Sequence, residues 1–256
     1  MEIERVEGLI ARRILVNFRC DPEVVARVLP PPFRPRVHAG SAVAGICLIR
    51  LEGVRPPPLP ALLGLDSENA AHRIAVVWEG AGDGPQSGVY IPRRDTGSLL
   101  NHLAGGRLFP GEHARARFRV REAAGGPIAL EMRSDDGEVE VRIRARPAVG
   151  LPAGSIFASV EEASEFFRRD AVGYSATRDP GRLDGVRLVT HAWRVEPLAV
   201  DEVFSSFFAD ARRFPPGSVA FDHALLMRGI PHRFEALPSL ALDVAAAPAA
   251  PAGDRA

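Results

Sequence analysis

Residues Gly105 to Glu122 read GGRLFPGEHARARFRVRE, a glycine-rich bend running into a strictly alternating segment. From His113 onward Ala114, Ala116, Phe118 and Val120 fall on one side, and Arg115, Arg117, Arg119 and Arg121 on the other. Side chains alternate across a strand with period two, so this spacing predicts a half-buried strand with a cationic outer face. The bend sets Phe109, Glu112 and His113 where the chain enters the sheet. Strand ends are where sites are commonly built on such scaffolds.

Downstream, PIALEMR and EVEVRIRAR are two more alternating segments joined through Asp136-Gly137, a hairpin-turn signal, so three consecutive antiparallel strands are expected. Ser159 to Asp170 carries a capping box, Ser159 with Glu162, and sets Ala163, Phe166 and Phe167 on one helical face. Asp184 to Pro197 reads as a further strand. The closing segments VFSSFFAD and SVAFDHALLMRGI both read as β.

Upstream, Gly105 and Gly106 end a helix expected over Ser98 to Ala104. Before it come GVYIPRRDTG, the strand within SENAAHRIAVVWE, and Ala42 to Leu51, an apolar run that predicts a strand buried on both faces. Asp21-Pro22-Glu23 supplies an N-cap, a proline at the first helical position and an acid in the first turn. A short helix through Leu29 follows from it. Arg12 to Phe18 is the first strand. Roughly nine strands against two or three short helices, with no βαβ rhythm, predict a mainly β, β-rich α+β fold closed into a single barrel with peripheral helices. That domain is expected over residues 1–244. The Ala/Pro-rich segment 245–256 has no amphipathic period and is expected to be disordered.

Composition excludes whole mechanisms. All 32 basic residues are arginine and none is lysine, a bias in keeping with a GC-rich genome. Arginine stays protonated at any workable pH, so no side chain can form a Schiff base. Thirty-two acids balance the 32 bases, giving no net field for nucleic acid or an anionic membrane. Cys20 and Cys47 make neither a disulfide framework nor a CxxC motif. The opening MEIERVEGLI lacks the apolar core of a signal peptide, and no apolar run has bilayer length, so a soluble cytoplasmic chain is expected. A homo-oligomer stays open.

Glu68 and Glu112 are the candidate acid and base, because two carboxylates in one cavity have their pKa values driven apart by burial and mutual repulsion. The alternative for each is a solvated loop position. Arg93, Arg94 and Arg107 flank the bend and could grip a carboxylate bidentately, with His113 beside them; a structural network with Asp95 is the competing reading. His72, His102, His113, His191 and His223 follow no metal-ligand spacing, and Ser205-Ser206 lacks a nucleophile-elbow context, so neither a metal, a cofactor nor a serine hydrolase is expected.

Several segments together resemble the acetoacetate-decarboxylase-like superfamily, in particular its uncharacterised YqjF-like branch, a domain of unknown function. ARRILVNFRCDPEVVARVLPPPF is similar to that family's opening strand and helix, and SENAAHRIAVVW to the segment bearing its pocket glutamate, which would fall on Glu68. GGRLFPGEHARARFRV resembles the segment where true decarboxylases have two adjacent lysines, and VFSSFFAD with Phe221-Asp222 the C-terminal pair. Here Gly111 and Glu112 occupy the lysine positions, and either Arg12 or Arg13 fills the place of the first-strand arginine. The resemblance implies a pocket for a small oxo acid or related anion and lyase or hydratase chemistry without an imine. The alternative is a non-catalytic binding or scaffold protein that keeps the fold. An enclosed pocket with converging polar groups distinguishes the first from the second.

Overall fold

The computed structural model describes residues 4–80, 84–104, 110–169 and 171–242. Arg107, Phe109 and the segment 245–256 lie outside them. In chain order the elements are β1 (Arg5–Cys20), α1 (Pro22–Val28), β2 (Arg34–Pro35), β3 (Val37–His38) and β4 (Ser41–Arg55), followed by a 3-10 turn at Ala61–Leu63. Next come β5 (Leu65–Glu79), β6 (Pro85–Thr96), α2 (Leu99–Ala104), β7 (Ala114–Glu122), β8 (Ile128–Ser134) and β9 (Glu140–Pro147). The chain continues through α3 (Val160–Arg169), β10 (Val172–Ala176), β11 (Arg182–Val189), β12 (Glu196–Ser205), α4 (Ser206–Ala209) and β13 (Val219–Ala241).

Locally encoded features appear where their chemistry puts them. Asp21 caps α1, its carboxylate accepting the N–H of Glu23 at 2.8 Å. β7, β8 and β9 form the expected antiparallel meander. Within β7 the exposed Arg117, Arg119 and Arg121 alternate with Ala116, Phe118 and Val120. Ser159 Oγ accepts the N–H of Glu162 at 3.2 Å, while the Glu162 carboxylate takes the N–H of Ala158 rather than that of Ser159. On the inner face of α3, Ala163, Phe166 and Phe167 are buried.

Two segments depart from the sequence pattern. Asp184 to Pro197 is not one strand: β11 stops at Val189 and β12 starts at Glu196. VFSSFFAD ends β12 and turns into α4, because Phe207 and Phe208 are consecutive and both buried. A strand would send them to opposite faces; the helical turn aims both into one core, with Phe208 against Phe18 at 4.7 Å between ring centroids.

The expectation of a barrel is overturned by the strand pairing. The sheet is not a barrel: it is a 13-stranded sheet that forks, because two long strands outrun their neighbours. β6 pairs with β5 along one edge and divides the other, taking β10 in parallel at Val89 to Ile91 and β7 in parallel at Asp95 and Thr96. β13 pairs with β1 on one side and shares the other between β12 and β11. The result is a strand-dominated α+β fold. One hydrophobic cluster packs Ile14, Val16, Ile46, Leu48 and Ile74 on one face of the β1–β4–β5 region. A second, with Leu15, Cys47, Ala71, Ala75 and Phe167, lies on the other face under α3.

Candidate functional site

The same strands present two faces with opposite electrostatic character. Antiparallel register places Arg12 opposite Arg50 and Arg50 opposite Glu68; one residue along, Arg13 faces Ile49 and Ile49 faces Asn69. Since parity fixes the face, Arg12 and Glu68 share one side and Arg13 and Asn69 the other.

On the first side Arg12 Nη2 donates to Glu68 Oε2 at 2.6 Å and Nη1 to Glu122 Oε2 at 3.0 Å, and Glu122 is also bonded by Arg228. Burial pushes the Glu68 carboxyl above the usual range, against the opposing pull of Arg12 and Arg50. Arg93 is likewise held by acids, Asp95 at 2.8 Å, Asp136 at 2.7 Å and Glu138 at 3.0 Å. Burial disfavours its charge, but these partners outweigh that and hold its pKa above the ordinary value. The structural reading of the Arg93–Asp95 cluster is therefore the one the geometry takes.

On the second side lies a cavity of about 100 Å³ between the β1–β4–β5–β6 surface, β10, β11 and α3. Its polar lining comes from Arg13, Asn69, Arg73, Arg94, Asn101 and His113, and no carboxylate is among the described lining residues. Arg13 donates to sulfur, to Cys47 Sγ at 3.2 Å and Met227 Sδ at 4.0 Å, and lies over the Trp193 ring at 5.8 Å. Arg94 Nε donates to Ser175 Oγ at 2.8 Å. Burial pulls the Arg94 pKa down to about 10, which still leaves it charged at neutral pH. For His113, burial and then the nearby Arg94 lower the pKa to about 3, against the Gly111 carbonyl, so the imidazole is neutral. Two cations matched by thiol, thioether and hydroxyl groups rather than by acids make a wall ready for an anion.

Of the sequence-predicted residues, Arg94 and His113 reach this cavity; Glu68 and Glu112 do not. Glu112 follows Gly111, whose φ of +89° and whose approach to β10 leave no room for a side chain: an added Cβ would stand 2.5 Å from Ser175 Cβ. That bend turns the Glu112 carboxylate outward to Arg178 at 3.2 Å, in a shallow groove it shares with Arg93 and Arg94. The structure thus separates Glu68, Glu112 and the cavity instead of joining them. Strand parity explains Glu68, and the Gly111 bend explains Glu112. Arg13 enters the sequence reading only as one of two alternatives for the first-strand arginine of the family resemblance, and Arg73 and Asn69 are residues that motif reading passed over as site groups. Their signal is the alternation Asn69, Ala71, Arg73 against Glu68, Ala70, His72.

A second, open cleft beside α4 carries Arg93, Arg212 and Arg213, but each has an acid in place: Arg93 has Glu138, and the other two have Asp210. No group of three or more His, Cys, Asp or Glu side chains is arranged to hold a metal ion among the described residues. No helix among them is long and apolar enough to cross a membrane.

Comparison with known proteins places this geometry. The fold is similar to that of the enduracididine biosynthesis enzyme MppR, solved with HEPES buffer bound, at TM-score 0.58 and 13% identity over 93% of this chain and 86% of that one. MppR complexed with pyruvate aligns at TM-score 0.57 and 13% identity, over 93% and 90% of the two chains. An acetoacetate decarboxylase-like enzyme from Sphingomonas wittichii RW1 aligns at TM-score 0.55 and 12% identity, over 94% and 93%. These likenesses show a shared fold. A comparison with curated proteins returns no match. The profile of DUF2071, described as an uncharacterized conserved protein, matches residues 10–229, so the chain belongs to that family.

Proposed function

We propose that the cavity between β1, β4, β5, β6, β10, β11 and α3 binds a small oxo acid or related carboxylate, gripped by Arg13 and Arg94. The observation that carries this reading is the pairing of these two guanidiniums with neutral groups alone among the described residues, in a cavity without a described carboxylate. A volume near 100 Å³ suits a molecule of a few heavy atoms rather than a nucleotide. Asn69 and Asn101 add neutral hydrogen-bonding groups, and Trp193, Phe167 and Phe234 an apolar remainder. The binding of pyruvate by MppR on a similar fold supports the same ligand class. Any chemistry here, of lyase or hydratase type, runs without an imine on a side chain, since the chain has no lysine. A cavity lined by several polar groups favours this over a scaffold role.

The test is calorimetric titration with pyruvate and acetoacetate, with pyruvamide as the uncharged control. Both acids should bind and the amide should not. Arg13→Gln and Arg94→Gln should each weaken binding about tenfold to a hundredfold, the loss expected for a charged hydrogen bond of ~1.5–3 kcal/mol. Absence of heat and of thermal stabilisation with every short carboxylate would sink the proposal.

A further inference from the structure

A β-bulge in β6 decides which of its cations reaches the cavity. Tyr90 pairs with Ile74 and Arg93 with His72, so Ile91 and Pro92 together stand opposite the single residue Arg73. Proline lacks the N–H that a regular ladder needs, and the extra residue shifts the alternation of side chains by one. Arg94 therefore joins Val89 and Ile91 in the cavity wall, while Arg93 stays with its acids on the other face.

The two guanidiniums held by neutral groups then stand at opposite ends of the cavity. Cys47, Ala71 and Arg94 lie in one register row across β4, β5 and β6. Arg13 is fixed at the β4 end of that row, its Nε donating to Cys47 Sγ at 3.2 Å and its Nη1 to Met227 Sδ on β13 at 4.0 Å. Arg94 starts two strands farther on, at strand spacings of about 4.8 Å, and turns away from β5, its Nε donating to Ser175 Oγ on β10 at 2.8 Å. Between them, on β5, the cavity is lined by the Ala71 methyl group and the Asn69 amide.

We propose that the cavity takes a short dicarboxylate, an oxo diacid or a close relative, laid across β5 with one carboxylate at Arg13 and the other at Arg94; this rests on the anion reading of the cavity. Charge decides between one carboxylate and two. Thiol and thioether sulfur are weak acceptors, and a hydroxyl brings no counter-charge, so neither cation is neutralised by these partners. A monocarboxylate matches one guanidinium and leaves the other facing the cavity unmatched, where an uncompensated charge costs most. Pyruvate, for example, gives its carboxylate to one end and only a carbonyl oxygen to the other. A dianion matches both ends, and its carboxylates, held apart, escape the repulsion they would meet on a shared cation. Arg94 engages Ser175 through Nε alone among the described residues, so Nη1 and Nη2 can meet both oxygens of a carboxylate in parallel.

The experiment is calorimetric titration of the intact protein with fumarate, maleate, crotonate and pyruvate. Fumarate fixes two carboxylates at opposite ends of a rigid frame, maleate sets them on the same side, and crotonate is the fumarate frame with a methyl group replacing one carboxylate. Fumarate should bind at least about tenfold tighter than either maleate or crotonate, the gain from one added charged hydrogen-bonded contact. Arg13→Gln and Arg94→Gln should each abolish that preference and bind fumarate no tighter than crotonate. Crotonate or pyruvate bound as tightly as fumarate overturns the dicarboxylate reading and leaves the anion reading standing. Maleate preferred over fumarate overturns it as well, because both cations would then act at one end. So does either variant that keeps the wild-type preference. If none of these acids binds, the anion reading itself fails and takes this one with it. Should a variant not fold, the ligand series on the wild type still decides.

Discussion

Arg12 and Arg13 are neighbours on one strand, yet one is bound by two carboxylates and the other by two sulfur atoms. Arg93 and Arg94 repeat the contrast on β6, the first held by three acids and the second by a serine hydroxyl. The parity of a strand makes this division: one face pairs its guanidiniums with acids, and on the other Arg13 and Arg94 meet neutral groups among the described residues. Identical residue types thus serve cohesion on one face and, on the function proposed above, recognition on the other. Ways to break that partition differ in size.

Acid strikes both faces at once and should have the largest effect. His72 lies beneath the paired face, where burial and then Arg93 and Arg213 lower its pKa to about 3. Near the cavity arginines, His113 falls to about 3 through burial and Arg94, and His232 to about 4 through burial and Arg13. An unfolded histidine titrates near 6.5, so between that pH and about 4 the unfolded chain binds up to three protons that the native chain refuses. Stability therefore falls with falling pH, at about 4 kcal/mol per unit once all three are engaged. That amounts to about 10 kcal/mol lost by pH 4, so for a total stability of ~5–10 kcal/mol acid unfolding is expected between roughly pH 4 and 5.5. Fluorescence of Trp78 and Trp193 across a pH series measures it. A native signal persisting at pH 3 would mean that the histidines are not held neutral as their burial demands.

Next in size is Arg12→Ala, which leaves the Glu68 carboxyl without its hydrogen-bonded partner and with only the more distant pull of Arg50. Breaking a buried pair from one side typically costs ~3–5 kcal/mol, or roughly 6–20 °C in melting temperature for a domain of this size. Arg13→Gln strands no acid and should cost under about 1 kcal/mol while removing anion binding. Thermal denaturation of the two variants side by side tests the contrast. Equal losses of stability would show that the faces do not differ in the way their partners suggest.

How much of this could be read in the chain depends on how local each cause is. The Asp21 cap, the alternation of β7 and the Asp136-Gly137 hairpin are set by residues within a few positions of one another, and all three appear in the structure. The turn at Phe207 and Phe208 escapes local patterning, because burial of consecutive rings depends on Phe18, which lies far away in sequence. The fork in the sheet escapes strand counting for a similar reason: β6 and β13 acquire third neighbours only through their length. Strand parity separates Arg12 from Arg13, but which face holds a cavity is decided by β10, β11 and α3. The Asn17–His223 contact joins residues 206 apart, across a bulge that no motif marks. Its only local sign is a polar asparagine inside the apolar run RRILVNF.

The smallest effect is expected at Glu112, where family resemblance and the glycine-rich bend converge. Its side chain is 49% exposed and its partner Arg178 is 72% exposed, so the pair is solvated and contributes little, at most about 1 kcal/mol. The local structure here is held by main-chain bonds instead: the Glu112 N–H donates to Ala176 O at 3.1 Å, and the Gly111 N–H to Asp184 Oδ2 at 3.2 Å. Glu112→Gln retains both and only removes a charge from the outer groove. It should shift the melting temperature by no more than about 4 °C, given ~2–4 °C per kcal/mol at this chain length. It should also leave pyruvate affinity within about twofold, since a solvated charge outside the cavity is screened over a Debye length near 8 Å. Calorimetry on Glu112→Gln beside Arg94→Gln makes the comparison direct, because Arg94 borders both the groove and the cavity. If Glu112→Gln changed pyruvate affinity as strongly as Arg94→Gln, groove and cavity would be one site, and the division between cohesive and recognising faces would have to be redrawn around the bend.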